Sequence, residues 1–241
     1  MADIDVKKLL EAGAHFGHKT ERWHPKMAQY IHSKRGGSHI IDLIKTAAKL
    51  HEALNFIEEV SSKNKQVLLV GTKKQAQEIV KNLAEQTGMP YVTERWLGGM
   101  LTNWNTIGTQ IKRLVELETK MASGELAAKY NKLEVQRFQE EIERLNTLYG
   151  GIKQLSARPG AVVVFGIVDD VNAVREATKL KLPIVGICDT NSDPTSIDYP
   201  IPANDDAIKS LQLVADYVGE AINAGRAKSA KPEKTADKDE K

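Results

Sequence analysis

The chain has 241 residues, 41% hydrophobic and 27% charged, with a formal net charge of +2 and one cysteine, Cys188. The apolar fraction excludes a coreless, disordered chain, and no apolar run reaches the ~20 residues of a membrane span. A single cysteine excludes an intrachain disulfide framework and suits a reducing cytoplasm. The opening MADIDVKKLL is acidic and then amphipathic, so no signal peptide is expected. Charge is unevenly placed: residues 1–50 carry +4 and residues 161–210 carry −4, and all six histidines fall in the first 51 residues. Such polarity fits a polyanion as partner, and equally two halves that neutralise each other in the fold.

Residues 5–12 predict a short helix, with Val6, Leu9 and Leu10 on one face and Gly13 to end it. Residues 14–39 follow no clean period and read as an irregular, basic and aromatic loop; Ile40-Ile41 reads as a short strand. A helix over 43–60 follows from Ile44, Ala47, Leu50, Leu54, Ile57 and Val60, with Asp42 as cap. VLLV (67–70), the turn Gly71-Thr72-Lys73-Lys74 and a helix closed by Gly88 make half of a βαβ unit. Tyr91-Val92-Thr93 is the next strand, leading into ERWLGGMLTNW (94–104).

Residues 106–122 and 133–152 change character. Stripes of Ile107, Ile111, Leu114, Leu117 and Met121, and of Val135, Phe138, Ile142, Leu145, Tyr149 and Ile152, predict an antiparallel hairpin with coiled-coil packing that projects from the main domain. The α/β pattern resumes with AVVVF (161–165), a helix from about 171 to 180, IVGIC (184–188), a turn-rich stretch (189–207) with Asn204 and Asp205 as caps, and a helix over 206–224. The segment 226–241 mixes Lys, Ala, Pro and acids without period and is expected to be disordered. Apolar strands alternating with helices imply a parallel sheet covered on both faces. The expected organisation is an α/β domain over 1–104 and 153–225, an inserted hairpin over 105–152 and a charged tail over 226–241.

Several places could carry chemistry. The Gly71–Lys74 turn offers amides and lysines to a phosphate, or is a plain βα turn; it matches neither the Walker loop nor GxGxxG. Asp169, Asp170, Asp189 and Asp193 follow strands, where they would hold Mg²⁺ for phosphoryl transfer or simply serve as caps and Asx-turns. His15, His18 and His24 have zinc-like spacing without a paired second motif, which favours packing over a metal. The basic and aromatic segments fit RNA better, since cations take phosphates and flat rings take bases. Arg22, Lys26, Lys34, Arg35, Lys73, Lys74 and Arg95 are the expected phosphate contacts, with Trp23 and Asn103 beside them, and at least one of Trp96 and Trp104 is expected to pack rather than stack. The leading alternative is an Mg-dependent α/β enzyme acting on a phosphorylated substrate at Asp169, Asp170 and Asp189.

LLEAGAHFGH (9–18), RWHPKM (22–27), HIIDL (39–43), VLLVGTKK (67–74), RWLGGMLTNW (95–104), GGIK (150–153) and DTNSDP with IPANDDAI (189–208), in this order, resemble the small-subunit ribosomal protein S-two family of bacterial and organellar type. The resemblance implies a flavodoxin-like parallel sheet flanked by helices, with the helical hairpin inserted after TNW. It implies a structural role on small-subunit ribosomal RNA, beside other ribosomal proteins and helping to dock the large protein S-one. Neither catalysis nor a cofactor or metal is attached to it. A ribosomal location in the cytoplasm or an organelle follows, with no membrane and no stable homo-oligomer.

Overall fold

The structure is a computed structural model that describes residues 4–155 and 157–229. Its centre is a five-stranded parallel sheet in the order β5-β4-β6-β7-β8, formed by β4 (Val67–Val70), β5 (Tyr91–Val92), β6 (Ala161–Val164), β7 (Ile184–Cys188) and β8 (Tyr199–Pro202). Numbered among themselves in chain order, these strands run 2-1-3-4-5, the flavodoxin-like winding in which the strand order reverses between the first and third. Strands β4, β6 and β7 are buried at every residue, as parallel strands covered on two sides must be.

Alternation along the strands sends side chains to two cores. Val67, Leu69, Val163, Phe165, Val185 and Ile187 join a cluster with α2 (Leu43–Ser62), α3 (Lys74–Thr87) and α8 (Ile208–Ser229). Leu68, Val70, Val162, Val164 and Cys188 join another with α4 (Trp104–Ala122), the end of α6 (Lys132–Tyr149), α7 (Val171–Lys179) and Trp96. Helix ends follow local chemistry. The Asp42 carboxylate accepts from Ile44 N and Lys45 N at the start of α2, Asn131 and Glu134 form a reciprocal capping box on α6, and Gly88 takes the left-handed φ of 62° that ends α3. Asn204 accepts from Asp206 N and Ala207 N, closing the turn before α8 and not the helix itself, which starts at Ile208; the Asp205 carboxylate meets Lys73.

Two regions differ from expectation. The stretch 14–39 is not an irregular loop. Together with Ile40 and Ile41 it makes a three-stranded antiparallel sheet of β1 (Phe16–Lys19), β3 (Ser38–Ile41) and β2 (Ile31–Arg35), in that spatial order, with a 3-10 turn over Pro25–Tyr30. Arg35 pairs with Ser38 across Gly36-Gly37, whose φ values of 58° and 79° give the doubly left-handed turn that closes a two-residue hairpin. The inserted helices, α4, α6 and the short α5 (Glu125–Lys129) between them, do not simply project. Ile107, Ile111, Leu114 and Leu117 are buried and continuous with the sheet's second core, and burial of the α6 stripe fades from Tyr149 and Leu145 back to Val135. Two ion pairs tie the region together, Arg113 to Glu141 at 3.3 Å and Lys153 to Glu118 at 2.7 Å. Only the first joins α4 to α6; Lys153 lies past the end of α6, beyond a 3-10 turn over Gly150–Ile152. The expected coiled coil does not follow from these contacts. The expected disordered tail lies mostly outside the described residues, although α8 extends to Ser229 and takes in its first four.

Candidate nucleic-acid interface

The small sheet is seated on the loop after β7. His24 N donates to Thr190 O at 2.7 Å and His18 N to Thr190 Oγ1 at 2.9 Å. Asn204 N donates to Ala14 O at 3.1 Å. Gly17 is required here, because a Cβ would lie 2.5 Å from Thr190 Cγ2. On this sheet and the turn beside it Arg22, Lys34 and Arg35 are exposed, and Trp23 is 38% exposed. The Trp23 ring lies 5.2 Å from that of buried His39, and Lys34 Nζ sits 5.9 Å from its centroid. The fold therefore brings four of the nine expected contacts onto one surface element. Lys74, Arg95 and Asn103 are exposed elsewhere, at the start of α3 and on the segment before α4. Asn103 accepts from Thr106 Oγ1 at 3.1 Å.

The remaining two cations lie against the protein's own carboxylates, Lys26 at the surface and Lys73 largely buried. Lys26 Nζ contacts Asp193 Oδ2 at 3.1 Å and Thr195 Oγ1 at 2.9 Å. Hydrogen bonds from the Thr195 hydroxyl and amide, helped by Lys26, hold the Asp193 carboxyl down at about 2. Lys73 Nζ lies 2.7 Å from Asp205 and 2.6 Å from Asp206, with only 14% of its side chain exposed. The turn before it is also occupied by internal contacts. A Cβ on Gly71 would meet Val80 Cγ2 at 2.7 Å, so this glycine serves the packing of β4 on α3, and Thr72 N donates to the Asp170 carboxylate at 3.2 Å.

Behind the small sheet, His18 Nδ1 faces Asp189 Oδ2 at 3.1 Å and His18 Nε2 faces Asp206 Oδ2 at 3.5 Å. The hydrogen bond to Asp189 raises the imidazole above its ordinary value, and burial pushes Asp205 up to about 6. His18, Asp189, Asp205 and Asp206 offer ligand atoms within 4.8 Å of one another and could hold a divalent cation. This grouping takes one of the histidines and one of the aspartates singled out from sequence, and neither Asp169 nor Asp170. Burial pushes Asp170 itself up to about 6, and it bridges to Thr72 instead of capping α7. The aspartate triad expected of a phosphoryl-transfer enzyme is therefore divided between separate tasks.

One important residue has no counterpart among the expectations. Glu176 on α7 accepts from Trp96 Nε1, Gly99 N, Leu101 N and both the amide and hydroxyl of Thr102. Burial opposes its ionisation, yet these hydrogen bonds hold its carboxyl below the usual glutamate value. Its signal in the sequence is faint: an acid three residues after Ala173 and next to Ala177, on the edge of the buried face of α7. Trp96 is buried and packs, as expected of one of the pair.

This is a doubly wound α/β protein whose strand-end turns are filled by its own ion pairs and whose appended β-sheet carries exposed Arg22, Lys34 and Arg35. The family model described as Ribosomal protein S2 matches residues 9–225. The chain belongs to that family, and so to the small-subunit ribosomal proteins of translation, which are structural proteins of the ribosome. None of the described helices is long and apolar enough to cross a membrane.

Proposed function

We propose that the protein binds small-subunit ribosomal RNA through the outer surface of its N-terminal sheet, with Lys34 and Arg35 at the tip of the β2–β3 hairpin as leading phosphate contacts. The observation that carries this reading is the Gly36-Gly37 hairpin, which holds two exposed cations, without ion-pair partners among the described residues, the first of them, Lys34, over a partly exposed Trp23 ring. Arg22, Lys74, Arg95 and Asn103 add contacts from the same molecule, and the half-exposed Lys26 stays open to a phosphate beside its ion pair, while Lys73 acts within the protein. Neighbouring small-subunit proteins, S-one among them, dock on other faces, and exposed Leu10 and Phe16 give such partners apolar surface. The outer part of the insertion, with Tyr130 and Leu133 exposed, is a second contact arm. The protein acts as a single copy on a cytoplasmic or organellar ribosome.

Gradient sedimentation tests the class: the chain co-migrates with small-subunit RNA through a high-salt wash, and a light, RNA-free peak overturns the reading. The double substitution Lys34→Ala, Arg35→Ala tests the surface. It weakens RNA association and reduces the slope of log affinity against log salt by about two, roughly one for each phosphate no longer neutralised. An unchanged affinity and slope would remove the hairpin from the interface.

A further inference from the structure

The segment from Trp96 to Thr102 is folded around one carboxylate. Glu176 Oε1 accepts from Trp96 Nε1 at 3.1 Å and Gly99 N at 2.7 Å; Oε2 accepts from Leu101 N, Thr102 N and Thr102 Oγ1, each at 3.0 Å. A carboxylate has about four lone-pair sites, so this one is saturated by the loop alone. The stretch it fixes contains Gly98 and Gly99 and would otherwise be among the freest backbone in the chain. Leu101 and Thr102 continue directly into Asn103, Trp104 and Asn105, which line one side of a cavity of ≈ 310 Å³; Leu155 and Arg158 line the other.

The lining has three kinds of group in the proportions one nucleotide needs. Trp104 is half-buried and packed against the second core, so its ring is held in place. Asn103 and Asn105 carry exposed amides, and Arg158 carries an exposed guanidinium. Unpaired bases are held in this way, by stacking on an aromatic face and by amide contacts to their edges, with a cation for the backbone. We propose that the cavity takes a single unpaired nucleotide of RNA, its base against Trp104, its edge on Asn103 and Asn105 and its phosphate on Arg158, with Glu176 as the positioning residue that holds the wall. The inference rests on the RNA-binding reading and assigns to it a second, non-electrostatic contact.

The test uses the full chain and a mixed-sequence single-stranded oligoribonucleotide. Photocrosslinks map to 103–105 and to the 157–159 segment. Trp104→Leu weakens binding roughly tenfold, the scale of one base–aromatic stack, whereas Trp104→Phe, which keeps a ring, stays within about threefold. Glu176→Gln preserves shape but turns an amide donor toward N–H donors. It speeds hydrogen exchange at Gly99, Leu101 and Thr102 and lowers affinity as Trp104→Leu does, while the melting transition of the chain persists. Crosslinks elsewhere, or Trp104→Leu binding as tightly as the parent, overturn the site. Amides still protected in Glu176→Gln overturn the positioning role. A parent chain that binds no RNA overturns the functional reading itself, a result distinct from either.

Discussion

Asp170 shows how a single side chain shapes the protein's response to pH. It is buried, its Oδ1 has no hydrogen-bond partner among the described residues, and burial lifts its carboxyl from the ordinary 3.8 to about 6. Between those values the folded chain holds a proton that the unfolded chain has released, so this group makes stability fall as pH rises from about 4 to about 6. The cost of the ionised form is roughly 2–3 kcal/mol. Asp205 acts in the same direction over the same window. His18, raised by Asp189, contributes stability that is complete below the ordinary histidine value and is lost as pH climbs through its raised one. Asp193, depressed to about 2, works on the other side: its contribution is present above 3.8 and is lost only as pH falls toward 2. Asp170→Asn keeps an acceptor for Thr72 and removes the charge. Urea unfolding at pH 4.5 and at pH 7 is expected to show a smaller difference for the variant than for the parent. An equal difference would place the pH dependence elsewhere.

At the scale of elements, the β2–β3 hairpin separates the presence of cations from their placement. A Cβ at Gly36 or Gly37 would meet no atom within 4 Å, so the value of these glycines is conformational: both have positive φ. Replacing both by alanine leaves Lys34 and Arg35 in the chain but strains the turn by roughly 1–2 kcal/mol per residue. RNA affinity is expected to fall several-fold. The single substitution Gly36→Asn should keep the parent affinity, since an Asn-Gly pair suits the same turn. Equal binding by parent, double alanine and Gly36→Asn chains would show that the hairpin's shape is immaterial. The same region shows what sequence can and cannot tell. VLLV, AVVVF and IVGIC announce a parallel sheet because strands buried on both faces must be apolar throughout. FGHK and IHSKR do not announce β1 and β2, because these strands are short, largely exposed and without alternation; the one local signal is the Gly-Gly pair between Arg35 and Ser38. In sequence Lys26 and Lys73 look as available as Lys34. Their partners Asp193 and Asp205 stand 167 and 132 residues away, a separation that no local pattern encodes. Glu176 is hidden for the same reason, its five donors lying 74 to 80 residues upstream.

For the whole molecule, the insertion and the sheet share a core. Leu114 on α4 is fully buried in the cluster that contains Leu68, Val70 and Val164. Leu114→Ala is expected to cost about 2–5 kcal/mol through reduced burial and a residual cavity, and to lower the melting temperature of the entire chain in one transition. Two separated transitions, with only the lower one shifted, would show that the insertion melts by itself. The seat of the small sheet has a different consequence, one of timing. Residues 14 to 24 fasten to Thr190 and Asn204, so the surface proposed for RNA is made early in synthesis and gains its seat only once the loop after β7 and residue 204 have left the ribosome's exit tunnel. A chain cut short before residue 190 carries every cation of the hairpin and lacks both Thr190 and Asn204, which seat the small sheet.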